Sequence, residues 1–127
     1  MKLFIEGAWG MTDKDIAEAM ERFDNDTEIY ITLIDAFLSP KLSDIEETKK
    51  SLVHKKYNQV LYHAHKIKGA ALTLGANELA RAAARLEAAM RNSDTESAEL
   101  LYNELESLFT KTVTELAELR DRLQKAT

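Results

Sequence analysis

Apolar residues recur at helical spacing along nearly the whole chain, and that limits the fold to a helical one. Tyr30, Leu33, Ile34 and Phe37 stand at i, i+3, i+4 and i+7, the stripe of an amphipathic helix. Val60, Ala64, Ile67, Ala71 and Leu74 repeat the pattern. So do Leu79, Ala82, Ala83, Leu86, Ala89 and Met90, and then Leu101, Leu105, Leu108, Val113, Leu116, Leu119 and Leu123. No stretch shows the period of two that a half-buried strand needs. Breakers are scarce as well: 127 residues hold four Gly and one Pro, so the chain has few places to leave a helix.

Start and stop signals divide these stripes. Residues 1–11 form a leader whose Leu3, Phe4, Ile5 and Trp9 are expected to pack on the body. Thr12 can cap a short helix with Asp13 and Asp15 in its first turn. Ile16, Ala17, Met20 and Phe23 give that helix an apolar side. "DND" at 24–26 is a turn, and Pro40 marks a break or kink at the residue before it. Ser43 and Glu46 have capping-box spacing, and Ile45, Leu52 and Val53 carry an apolar side toward residue 54. The next helix should begin near Lys56 or Tyr57 and run to about Leu74, where Gly75 suits a left-handed stop. Asn77 can cap its successor. Asn92, Ser93 and Asp94 interrupt, Ser93 and Glu96 make a second capping box, and a last helix runs from about Thr95 to Gln124. Its acidic residues read as a solvated face. The expected architecture is one all-α domain over 1–127, an antiparallel four-helix bundle with a short extra N-terminal helix.

Charge and cysteine content narrow the function classes. A net charge of -5 argues against general nucleic-acid binding. The absence of cysteine removes disulfide and thiolate chemistry. No apolar run approaches the ~18 residues of a membrane span, and Glu6 interrupts the short apolar stretch after Lys2 before it can act as a signal peptide. A cytoplasmic protein bound neither to membrane nor to nucleic acid is expected.

The chemistry concentrates in "HAHKIKGAALTLGA", residues 63–76. With Val60, Ala64, Ile67, Ala71 and Leu74 facing the core, His65 lies roughly 120–140° away, toward solvent. Leu61, Lys68, Gly69 and Leu72 share its flank, at i-4, i+3, i+4 and i+7. A glycine inside a helix costs about 1 kcal/mol relative to Ala, and a bare flank one turn from His65 offsets that loss if another surface must approach. An unperturbed imidazole is largely neutral at pH 7 and keeps a lone pair on one ring nitrogen, which makes it a nucleophile. Lys68 can partner the charge of a phosphoramidate; Lys66 projects elsewhere. No Gly-rich phosphate loop or kinase signature is present, so the phosphoryl group must come from another protein. His63 sits at the edge of the core side as a packed residue, and His54 at a helix end. His63 and His65 point about 200° apart, which disfavours a shared metal.

"AHKIKGAALTLGANELARAAARLE", residues 64–87, resembles the signature of histidine-containing phosphotransfer (HPt) domains. Ala64, His65, Ile67, Lys68, Gly69, Gly75, Ala76, Leu79, Leu86 and Glu87 match. "AMERFDNDTEIYITLIDAFL" upstream is similar to the family's opening helices, and the likeness covers nearly all of the chain after residue 12. One departure is "HKKYN" before the active helix, where the family often has a Gly-Asp turn. The resemblance implies that His65 accepts a phosphoryl group from a receiver-domain aspartate and passes it to another. Lys68 would support the phosphate, and Leu61, Gly69 and Leu72 would receive the partner. It implies a carrier with no ATP site and no cofactor of its own, Mg²⁺ residing on the receiver. Its partners would be response-regulator receiver domains and a hybrid histidine kinase, and the chain a monomer. Three alternatives stay open: a binding module that sequesters a receiver, a chemotaxis-kinase-type phosphotransfer domain, and a metal-dependent enzyme. A chain beginning at Met1 favours the relay over the second of these, and the lack of a spaced carboxylate–His cluster weighs against the third.

Overall fold

The computed structural model describes residues 10–39 and 43–126. The expectations for Leu3, Phe4, Ile5, Trp9 and Pro40 lie outside these. Six helices follow one another: α1 (Asp13–Glu21), α2 (Thr27–Leu38), α3 (Asp44–Val53), α4 (Tyr57–Leu74), α5 (Asn77–Arg91) and α6 (Ala98–Ala126). No strand occurs among the described residues, and none of their helices is long and apolar enough to cross a membrane. The all-α class is as expected. Among the described residues there are six helices, α2 and α3 being separate elements.

α4 is the hub, packing on α5, α3, α2 and α1, while α6 packs on α5, α2 and α3. α4 and α5 run antiparallel from the turn at Gly75, so that His65 and Lys68 meet Glu87. Val60, Ala64, Ile67, Ala71 and Leu74 are all buried, as their spacing predicts, in one core cluster with Leu79, Ala83 and Leu86 of α5 and Leu105, Leu116 and Leu119 of α6. The carbonyls that α4 leaves open at its end are satisfied from outside. Tyr30 donates its hydroxyl to the Leu74 carbonyl at 2.5 Å, and Arg22 bonds the carbonyls of Leu72 and Thr73 at 2.5 and 3.2 Å. Burial pushes the Tyr30 phenol well above its ordinary value, against a smaller opposing pull from Arg22, so it remains a donor.

Several local expectations fail for physical reasons. On α1, Ala19 rather than Ala17 is buried. On α3, Val53 is 67% exposed, and the inner side is completed by Thr48 and Ser51, whose hydroxyls find the Asp44 carbonyl and Gln59. Ser43 precedes α3 without a side-chain cap. Asn77 lies inside α5 and donates to Asp15 at 3.0 Å. α6 starts at Ala98, three residues late, because Asp94 takes the N–H and hydroxyl of Ser97 and Glu96 forms no box. Glu115 is not on a solvated face. It is 1% exposed and accepts the N–H groups of Gly10 and Met11, each at 2.8 Å, fastening the end of the leader to α6.

Four helices stop in one way, with a left-handed residue and two backbone bonds folded back onto the last turn. The left-handed positions are Asp24, Lys55, Gly75 and Ser93. At Gly75 the bonds run from Ala76 N–H to Ala71 O (2.8 Å) and from Gly75 N–H to Leu72 O (3.3 Å). At Lys55 they run from Lys56 N–H to Ser51 O (2.8 Å) and from Lys55 N–H to Leu52 O (3.0 Å). Glycine adopts this conformation freely, and short polar residues tolerate it; a lysine is held there against a preference of about 1–2 kcal/mol.

Gly75 has a second constraint. A Cβ there would stand 2.7 Å from the Asp15 carbonyl oxygen and 3.0 Å from the Ala19 Cβ, at φ +82°. Gly75→Ala should therefore lower stability by about 2–4 kcal/mol, combining left-handed strain with overpacking against α1. Urea unfolding measures it; an unchanged midpoint would mean that α1 yields at no cost.

Candidate functional site

The exposed flank of α4 and one residue of α5 make the site. His65 projects outward with its side chain 61% exposed. One turn on, Gly69 has no atom within 4 Å of the place a Cβ would occupy, so no internal packing demands glycine there. Leu72 is 48% exposed, as expected of a surface the core does not need. Leu61 differs from that expectation, since it is partly buried against the core.

The partner that spacing did not reveal is Glu87. It stands on α5 at i+4 from Ala83 and i-3 from Met90, both buried, so helix geometry drives its carboxylate into the α4 interface. Its side chain is 7% exposed. A carboxylate there must be paired, and an imidazole and two cationic groups from two helices surround it. Oε2 is hydrogen-bonded to His65 Nδ1, Oε1 accepts from Lys68 Nζ at 2.6 Å, and Arg91 Nη2 lies 3.6 Å from Oε2. Burial alone would push the Glu87 carboxyl up. The hydrogen bonds from Lys68 and His65, with the charge of Lys68, outweigh it and hold the group below its ordinary value.

An ionised carboxylate only accepts hydrogen bonds, so Nδ1 of His65 carries the proton that Glu87 receives. The neutral imidazole then keeps its lone pair on Nε2, the nitrogen that Glu87 does not hold. Lys68, 27% exposed, is parked on Glu87 one turn from His65. The signal for Glu87 in the sequence is an acid within the apolar arc of α5.

His63 serves packing. Nδ1 of His63 meets Asp44 Oδ1 of α3 at 2.9 Å, with its side chain largely buried. Lys66 joins the same carboxylate at 3.4 Å and lies 5.4 Å over the Tyr62 ring. His63 and His65 thus address different helices.

A sequence model of the Hpt domain matches residues 32–126. This chain belongs to the Hpt domain family. Hpt domains work with receiver domains and histidine kinases in phosphorelays, and histidine phosphotransfer is the activity the family brings to this fold. In three dimensions the Hpt domain is similar to histidine-containing phosphotransfer protein B (HptB) from Pseudomonas aeruginosa PAO1. The TM-score is 0.76 at 22% identity, over 91% of this chain and 98% of that one. Among curated proteins, no sequence matches this one.

Proposed function

We propose that His65 is the phosphoacceptor of this Hpt domain, that Nε2 is its nucleophilic atom, and that the chain carries a phosphoryl group between receiver aspartates. The observation that carries the reading is the bond between His65 Nδ1 and Glu87 on an otherwise exposed imidazole. In the step, the Nε2 lone pair forms a bond to phosphorus. The acyl P–O bond breaks, and its electron pair leaves with the receiver's aspartate carboxylate. The proton on Nδ1 stays in place. The phosphorylated ring is then cationic, and the Glu87 carboxylate faces that charge, as carboxylates orient and stabilise imidazolium elsewhere. Lys68 supports the incoming phosphoryl oxygens. Mg²⁺ and the remaining catalytic groups belong to the receiver in this reading, and a hybrid histidine kinase stands upstream.

Receiver and small-molecule donors test both the carrier and its docking flank. Mixing with a phosphorylated receiver should give an acid-labile, base-stable label; a sequestering module would bind and acquire none. Gly69→Gln should cut transfer from the receiver far more than labelling by phosphoramidate, which needs no docking surface. Gly69→Ala, with open space at the Cβ position, should raise stability by up to about 1 kcal/mol. Receiver transfer at the wild-type rate in the Gln variant would remove this flank from docking.

A further inference from the structure

At the α3–α4 turn, Lys49, Lys50, Lys55 and Lys56 are all exposed, and none has an ion pair among the described residues. Lysines 49 and 50 have a local explanation, since they sit toward the C-terminal end of α3, where positive charge suits the helix dipole. Lys55 lies just past the same helix end, but at a cost to its backbone, and Lys56 has no such explanation. Lys55 occupies the left-handed stop, at φ 56°, where Gly75 does the same job on α4. Lys56 is the N-cap of α4 and makes no side-chain cap, at the helix end that disfavours a cation. Backbone preference thus opposes Lys55, and the α4 dipole opposes Lys56. Val53, 67% exposed, stands at i+3 and i+4 from Lys50 and Lys49 on α3 and shares their face. An apolar centre with a charged rim is the composition of a protein contact. The counter-charges on α3 lie a turn away at Glu46 and Glu47, and Asp44 is occupied by His63 and Lys66.

This corner belongs to a chain whose net charge is -5, so it is a local reversal of sign. It also lies at the foot of the helix that bears His65, roughly 12 Å along the axis from Tyr57 to His65. An acidic partner is repelled by the rest of the surface and drawn to this end of α4. We propose that Lys49, Lys50, Lys55 and Lys56, around Val53, form the electrostatic rim that engages an acidic patch on the donor or acceptor receiver and sets its rate of docking. The proposal rests on the carrier reading above. The small size of the cluster and the acidic remainder of the chain favour a protein partner over nucleic acid.

The test uses the full chain and a panel of receiver domains from the source organism, each phosphorylated with acetyl phosphate. The receiver that transfers fastest to wild type is the probe. K49E/K50E/K55E/K56E should lower kcat/KM by about tenfold or more at low salt, leave kcat near wild type, and leave phosphoramidate labelling intact. Wild-type kcat/KM should fall as NaCl rises, and the variant's should not. If the charge-reversed chain loses helical signal, the four Lys→Gln changes serve instead, with a smaller decrease. Lys55→Gly separates strain from function: it should raise Tm, because glycine suits the left-handed stop, while slowing receiver transfer. Transfer by the reversed variant at wild-type kcat/KM and with wild-type salt dependence would overturn the proposal. So would lysine-dependent binding of wild type to a 20-base-pair duplex or to phosphatidylserine vesicles with receiver transfer unchanged. Failure of wild type to label with phosphoramidate or with any receiver would instead remove the carrier reading beneath it, and this proposal too.

Discussion

His65→Gln should accept no phosphoryl group from any donor, at unchanged fold. The imidazole is 61% exposed, so its loss opens no cavity, and Gln is a good helix former. Gln has no nitrogen lone pair able to displace a carboxylate from phosphorus, whereas its amide can still bond Glu87. The measurement pairs acid-labile labelling with thermal unfolding. Labelling of the Gln variant at wild-type level, or labelling that vanishes only when His63 is replaced, would move the acceptor elsewhere.

Glu87 should show the next largest effect, in a graded series. Glu87→Ala removes the acceptor for Nδ1–H and the charge facing the phosphorylated ring. A charge-assisted bond of this kind is worth about 1.5–3 kcal/mol, or roughly 10- to 100-fold in rate. Glu87→Gln keeps an oxygen for Nδ1–H but no charge, and should fall between Ala and wild type. Equal rates across all three would show that the ring needs no fixed tautomer. Acid titration gives an independent reading. The folded-state pKa of Glu87 is depressed, so its stabilisation is complete above the ordinary carboxylate range and is lost as pH falls through the folded value. The stability gap between wild type and Glu87→Gln should therefore shrink from pH 7 to about pH 3. A gap that stayed constant would mean that the pairing adds nothing through ionisation.

On α4, three features that depend on that helix alone are legible in the sequence. The α4 stripe from Val60 to Leu74, the outward direction of His65 and the left-handed Gly75 follow from 3.6-residue periodicity and backbone sterics alone, and all three hold. Glu87 as the partner of His65 depends on how α5 lies against α4, which no local pattern contains. Glu115 is a sharper case. It looks like one of many acids on a polar helix, yet its burial depends on two N–H groups more than 100 residues away. Ser43 and Glu96 have the right spacing but form no cap: Ser43 makes no side-chain bond, and Asp94 takes the N–H and hydroxyl of Ser97 at the start of α6.

The left-handed turn at Gly75 has a kinetic side. His65 and Glu87 are 22 residues apart in the chain, and Lys68 and Glu87 are 19 apart, all on one hairpin. Joining such near neighbours carries a small loop-closure entropy, and contacts of low sequence separation form early in folding. The reactive geometry is thus a local supersecondary unit, and any disturbance at the hinge, including loss of the contacts that Asp15, Ala19, Arg22 and Tyr30 make there, reaches it directly.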